Sequence, residues 1–139
     1  MFVQGGPKGF ARVVAPDLLV YPDYDGNGMF KSLGNIVVNP DVGLLFIAMH
    51  GKPRRLRVNG HARVGDSDPL LSETVGAQLI VRVTARAIFP NCPRYIPTMG
   101  EVEPSIYAPR AGQDAPEPKW KGFADFKDCI HPRQPTFKG

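Results

Sequence analysis

Along residues 54–64 hydrophobic and polar positions alternate, Leu56, Val58, Gly60, Ala62 and Val64 opposing Arg55, Arg57, Asn59, His61 and Arg63. A period of two marks a strand with one buried face. Its other face offers arginines, an asparagine and a histidine to solvent, a partner or a ligand. Residues 78–89 alternate in the same way, with Leu79, Val81, Val83, Ala85 and Ala87 opposing Gln78, Ile80, Arg82, Thr84, Arg86 and Ile88. Residues 42–49, VGLLFIAM, are apolar throughout, which predicts a central strand. Two short strands, at 10–15 and 18–21, are joined around Pro16-Asp17 as a hairpin.

Between the hairpin and the apolar run the period changes to that of a helix. Met29, Leu33, Ile36 and Val37 predict a helix over 28–38, stopped by Asn39-Pro40 because proline cannot continue it. Gly34 inside that helix costs about 1 kcal/mol against alanine, so close approach of another backbone or a ligand is the expected compensation. Ahead of the helix, Asp25-Gly26-Asn27-Gly28 forms a tight corner. Its backbone N–H groups and the helix N-terminus suit an anion such as phosphate; a plain connection whose glycines supply positive φ is the alternative. A short helix over 66–76 has Asp68 to cap it and Pro69 at its first position. The element order β-β-α-β-β-α-β then predicts a mainly β (α+β) chain, a small antiparallel barrel with short helices.

Composition narrows the picture. At 139 residues with 42% apolar and 22% charged, the chain suits a globular barrel with a core of its own. No apolar run approaches membrane-spanning length, and the start MFVQGGPKGF lacks the plan of a signal peptide, so a soluble cytoplasmic protein is expected. Cys92 and Cys129 have neither the number nor the spacing of a disulfide framework or a zinc site, and a reduced, packed Cys92 and no metal are expected. The net charge of +4 is concentrated at Lys52, Arg54, Arg55, Arg57 and Arg63. That ribbon suits a cofactor phosphate or another anionic ligand; it lacks the interleaved aromatics of single-strand readers, so nucleic acid is not the expected partner. Prolines concentrate after Pro90, and residues 98–139 form a Pro-rich, largely non-helical extension of the 1–97 barrel. Its aromatics, Tyr107, Trp120, Phe123 and Phe126, are expected to pack on the barrel or on a second subunit. Ser32 with His50 or His61 lacks the GxSxG elbow of a nucleophile, and no catalytic residue is assigned.

Taken together, Lys8-Gly9-Phe10, YPDYDGNGMFKSLGNI, NPDVGLLFI, RRLRVNGHARV and FPNCPRYI, in that order, resemble the pyridoxamine 5'-phosphate oxidase-related family of FMN-binding split-barrel proteins, in its poorly characterised branch. The resemblance implies a homodimer of six-stranded antiparallel split barrels with FMN in clefts between the subunits, here with a shortened N-terminal strand. It implies FMN contacts from Lys8, Gly9, Phe10, Asp25, Asn27, Lys31 and Ser32, and from Arg55 and Arg57 near the flavin ring. Asn91, Arg94 and Tyr95 are implied near the partner's cleft. The implied function is that of a flavin-dependent oxidoreductase acting on a small molecule, or of a non-enzymatic protein that binds FMN or another anionic cofactor for sensing or storage.

Overall fold

The strands lie side by side in the order β1-β2-β5-β4-β3, each antiparallel to its neighbour. They are β1 (Arg12–Ala15), β2 (Leu18–Tyr24), β3 (Asp41–Ala48), β4 (Arg54–Gly65) and β5 (Ala77–Asn91). One helix, α1 (Lys31–Val38), joins β2 to β3. This computed structural model describes residues 4–48, 50–94, 96–97, 99–100, 105–114 and 116–125. Among them the chain is mainly β: an antiparallel split barrel of five strands, open between β1 and β3, where the resemblance implies six. No helix of the described residues is long and apolar enough to cross a membrane.

The alternation of β4 does what its period requires. Val58 and Ala62 are buried and meet Leu19 and Tyr21 from β2, Val81 and Val83 from β5, and Leu33 and Ile36 from α1 in one core cluster. Leu33 and Ile36 are three residues apart, on one side of the helix, so α1 lies with that side on the core and packs against β4. Val37 and Val38 are left exposed.

Four expectations are corrected. The apolar run at 42–49 yields β3, an edge strand and not a central one. Its inward residues Val42, Leu44 and Phe46 pack against the core, while Leu45 and Ile47 on the outer face remain 39% and 40% exposed. An unbroken apolar run thus reports two apolar faces and not two neighbouring strands. The helix begins at Lys31 and not at 28, because Phe30 at its N-cap sits in the left-handed region at φ 46°, outside helical geometry. Gly34 has open space where a Cβ would point, and no backbone of the described residues outside its own helix comes within 4 Å of that point. Cys92 is exposed and not packed.

Gly60 does have a close approach. The β4–β5 register slips between Asn59 and Gly60, so that Asn59 faces Ala87 while Gly60 faces Ala85 and Arg86 bulges out of the ladder. A Cβ on Gly60 would lie 2.1 Å from the Thr84 carbonyl oxygen and 3.1 Å from Ala85 Cα, both backbone atoms. The slip also breaks the strict alternation of β5: beyond it Ile88, and not Ala87, shares the core side with Val58. Before it, Ile80 is buried on the opposite side from Val81, on the face where Arg82 is held by Asp68.

The second helical segment is a single 3-10 turn, Pro69–Leu71, with Asp68 accepting from the Leu70 N–H at 3.0 Å as the sequence implies. Beyond β5 the extension returns to the barrel. A 3-10 turn at Lys119–Gly122 places Lys121 Nζ 2.7 Å from Asp25 Oδ2 and 3.3 Å from Glu117 Oε1. Pro109 lies against Gly76, whose φ of +75° and lack of a Cβ allow the contact.

Candidate functional site

The corner is built from the end of β2 and the start of α1. Asn27 accepts from the Met29 N–H at 3.0 Å, an Asx turn that tightens the chain beside Gly28, itself at φ 69°. Phe30 then turns the backbone into α1, and no side chain caps the helix. The first-turn N–H groups of such a helix carry partial positive charge. A cavity of about 480 Å³ opens here, lined among others by Asp23, Asp25, Asn27, Lys31 and Ser32. Four of the sequence-derived candidates, Asp25, Asn27, Lys31 and Ser32, therefore meet in one place.

Lys8, Gly9 and Phe10 do not line it. Phe10 donates its N–H to the Pro7 carbonyl at 3.0 Å and packs against the core. The neighbouring Gly6 sits so near Tyr24 that a Cβ would lie 2.7 Å from its ring, so the N-terminal turn supports the corner from beneath.

Asp25 is held by two groups, accepting from Lys121 at 2.7 Å and from Gln78 Nε2 at 3.3 Å. Lys121 keeps 8% of its side chain exposed and Asp25 20%, which makes this a largely sheltered ion pair. Asp23 behaves differently. Burial pushes its carboxyl from 3.8 up to about 6. Burial and then the charge of Asp23 raise the Tyr21 phenol.

The folded Asp23 thus keeps a proton at a pH where the unfolded chain has lost it, and stability falls as pH rises between the two values. Asp23→Asn is expected to remove that slope and to stabilise the protein at neutral pH, read as urea midpoints at about pH 4 and about pH 7. An identical pH profile in the variant would show that Asp23 is solvated like any surface carboxylate.

The arginine ribbon forms a second assembly. Cross-strand register puts Ile47, Arg55 and Asn91 in one row and Leu45, Arg57 and Phe89 in the next, all on the outer face of the sheet. Arg57 Nε donates to Asn91 Oδ1. Among the described residues Arg55 Nε is buried without a hydrogen-bond partner. A cavity of about 670 Å³ lies at this end of the sheet, lined by Phe46, Ile47, Arg55, Pro90 and Asn91 among others. Arg55, Arg57 and Asn91 are thus brought together. Arg94 is exposed beyond the strand end, and Tyr95 lies outside the described residues. Within one chain the corner and the ribbon line separate cavities.

Two further clusters escape the sequence reading. Arg86, thrown outward by the bulge, puts Nη1 3.1 Å from His61 Nε2, while His61 Nδ1 lies 3.2 Å from Asp41 Oδ1. Arginine can only donate, so a hydrogen bond between the two has Nε2 accepting, which leaves Nδ1–H to donate to Asp41 on this exposed face. Arg82 donates through Nη2 to Asp68 Oδ1 at 2.9 Å, and this contact holds the Asp68 carboxyl below its usual range. Lys121 was hidden for another reason: its partner Asp25 is 96 residues away, and only composition pointed to that extension packing back. Among the described residues no group of three or more His, Cys, Asp or Glu is arranged to hold a metal ion.

The fold and these sites define a mainly β, antiparallel split-barrel protein. No family model matches the chain, and no curated protein matches it. Among solved structures, one that is similar is the crystal structure of HupZ from Group A Streptococcus, carrying V5 and hexahistidine tags. It is 16% identical over 68% of this chain and 78% of that chain, with a TM-score of 0.49. A likeness at that level carries no functional argument.

Proposed function

We propose that this chain is an FMN-binding flavoprotein that works as a homodimer and acts as a flavin-dependent oxidoreductase on a small organic substrate. The observation that carries the reading is Arg55, whose Nε is buried without a partner among the described residues, beside outer-face neighbours that remain partly exposed. A buried donor of this kind is costly unless a ligand completes it. The same face carries Arg57 and the partly exposed apolar side chains Leu45, Ile47 and Phe89. Guanidinium groups beside apolar surface suit a planar, anionic ring system.

FMN fits the residues present in two places. Arg55 and Arg57 would hold the pyrimidine end of the ring. Lys31, Ser32 and the α1 N-terminus would hold the phosphate. Asp25, held by Lys121 and Gln78, fixes the corner and contributes no charge to a phosphate. Because the corner and the ribbon line separate cavities of one chain, the reading requires the corner of one protomer to meet the ribbon of its partner across the apolar face. When bound, FMN supplies the hydride and electron transfer, while the protein places the ring and excludes water.

The test is direct. Protein stripped of small molecules is titrated with FMN and followed by quenching of flavin fluorescence, with its mass in solution measured in parallel. Saturable uptake of one FMN per chain by a dimer supports the reading, and turnover with reduced nicotinamide selects the oxidoreductase over a sensing or storage role. Absence of saturable FMN uptake would overturn it.

A further inference from the structure

We infer that the space beneath the Pro-rich extension is a second binding site, for a small, uncharged, planar aromatic molecule. It lies between the outer side of the corner and the described residues of 106–114 and 116–123, and its volume of about 800 Å³ falls within the range of small-molecule sites. Asp25 and Asn27 line both this space and the corner cavity, but none of Arg55, Arg57, Lys31 or Ser32, the side chains that would hold FMN, lines it, so the inference rests on other residues.

The walls set the class of ligand. Tyr24 from β2 and Tyr107, Pro109, Pro118, Trp120 and Phe123 from the extension line it together. Tyr107 and Phe123 remain about half exposed, at 50% and 55%. Aromatic faces presented to a cavity in this way bind flat rings by stacking and edge contacts. The charges lining the space balance. Asp25 and Glu117 are both held by Lys121, and Lys119 lies on the rim. With both carboxylates paired and the charges in balance, neither an anion nor a cation would meet a net opposite charge here, so the wall favours a neutral molecule.

Among the described residues the extension is held to the rest of the chain by Lys121 on Asp25 and by Pro109 against Gly76, and both contacts position the wall. Ligand affinity therefore depends on the fastening as well as on the walls.

Trp120 is the sole tryptophan of the chain and stands in the wall, so occupancy can be read from its fluorescence. The full chain is titrated with 2-naphthamide and, as a ring-matched anion, with 2-naphthoate, with equilibrium dialysis in parallel. Saturable binding of the amide with a change in Trp120 emission is expected, with the carboxylate at least about tenfold weaker. Tyr107→Ala and Lys121→Met should each weaken the amide by about tenfold while circular dichroism stays unchanged. A variant that loses its folded spectrum is replaced by Phe123→Ala, for which the same weakening is expected. The inference is overturned if the wild-type chain shows no saturable amide binding, if amide and carboxylate bind equally, or if the wall variants that fold bind as the wild type does.

Discussion

Replacing Gly60 with alanine is expected to lower the free energy of unfolding by about 3 kcal/mol, among the larger effects of one added methyl group. The added carbon would stand 2.1 Å from the Thr84 carbonyl oxygen, and the atoms around it are backbone, which cannot swing aside as a side chain would. Relief requires β4 and β5 to separate at their bulge, at the expense of neighbouring ladder hydrogen bonds and of the Val58 and Val83 packing. Gly34→Ala is the internal comparison. Open space surrounds that position on the exposed side of α1, so the same change there should stabilise by about 0.5–1 kcal/mol through helix propensity. Urea midpoints of the two variants, at constant denaturant slope, measure the contrast. If Gly60→Ala unfolds within a few tenths of a kcal/mol of the wild type, the register slip is not as tight as described.

Arg55→Ala is expected to weaken FMN retention by about ten- to a hundredfold, the usual worth of a charge-assisted hydrogen bond made in a sheltered site. A positive charge near the pyrimidine end of a flavin favours the reduced anion, so FMN that stays bound should show a more negative midpoint potential. Arg57→Ala should have the same sign and a smaller size, because its Nε already has Asn91 as a partner, whereas Arg55 Nε has none among the described residues. Retention and midpoint unchanged in both variants would remove the ribbon from the FMN site. Measuring stability beside retention separates a binding loss from unfolding.

The elements that could be read from sequence were those whose period matched their burial. β4 and β5 were legible because one face of each meets the core, and the Asp68-Pro69 start was legible because capping is a local event. The position of β3 was not, since strand order depends on contacts distant in sequence and an apolar run is silent about them. The bulge was not either: Gly60 sits in an unbroken alternation, and the reason for a glycine is the Thr84 carbonyl from another strand. For the candidate site the same division holds. Asp25, Asn27, Lys31 and Ser32 gather because they are neighbours along one corner, and Arg55 and Arg57 share a face because they are two residues apart in a strand. The environments of Asp23 and Lys121 come from burial and from a distant segment, and neither leaves a local pattern.

The link between Lys121 and Asp25 has a consequence for how the molecule is made. With 96 residues between its ends, it is a contact of high sequence separation, and such contacts form late because a long loop must first be closed. On the ribosome the core strands can pair once β5 has emerged, whereas the corner acquires its lysine partner only after the segment that follows β5, as far as Lys121, has emerged as well.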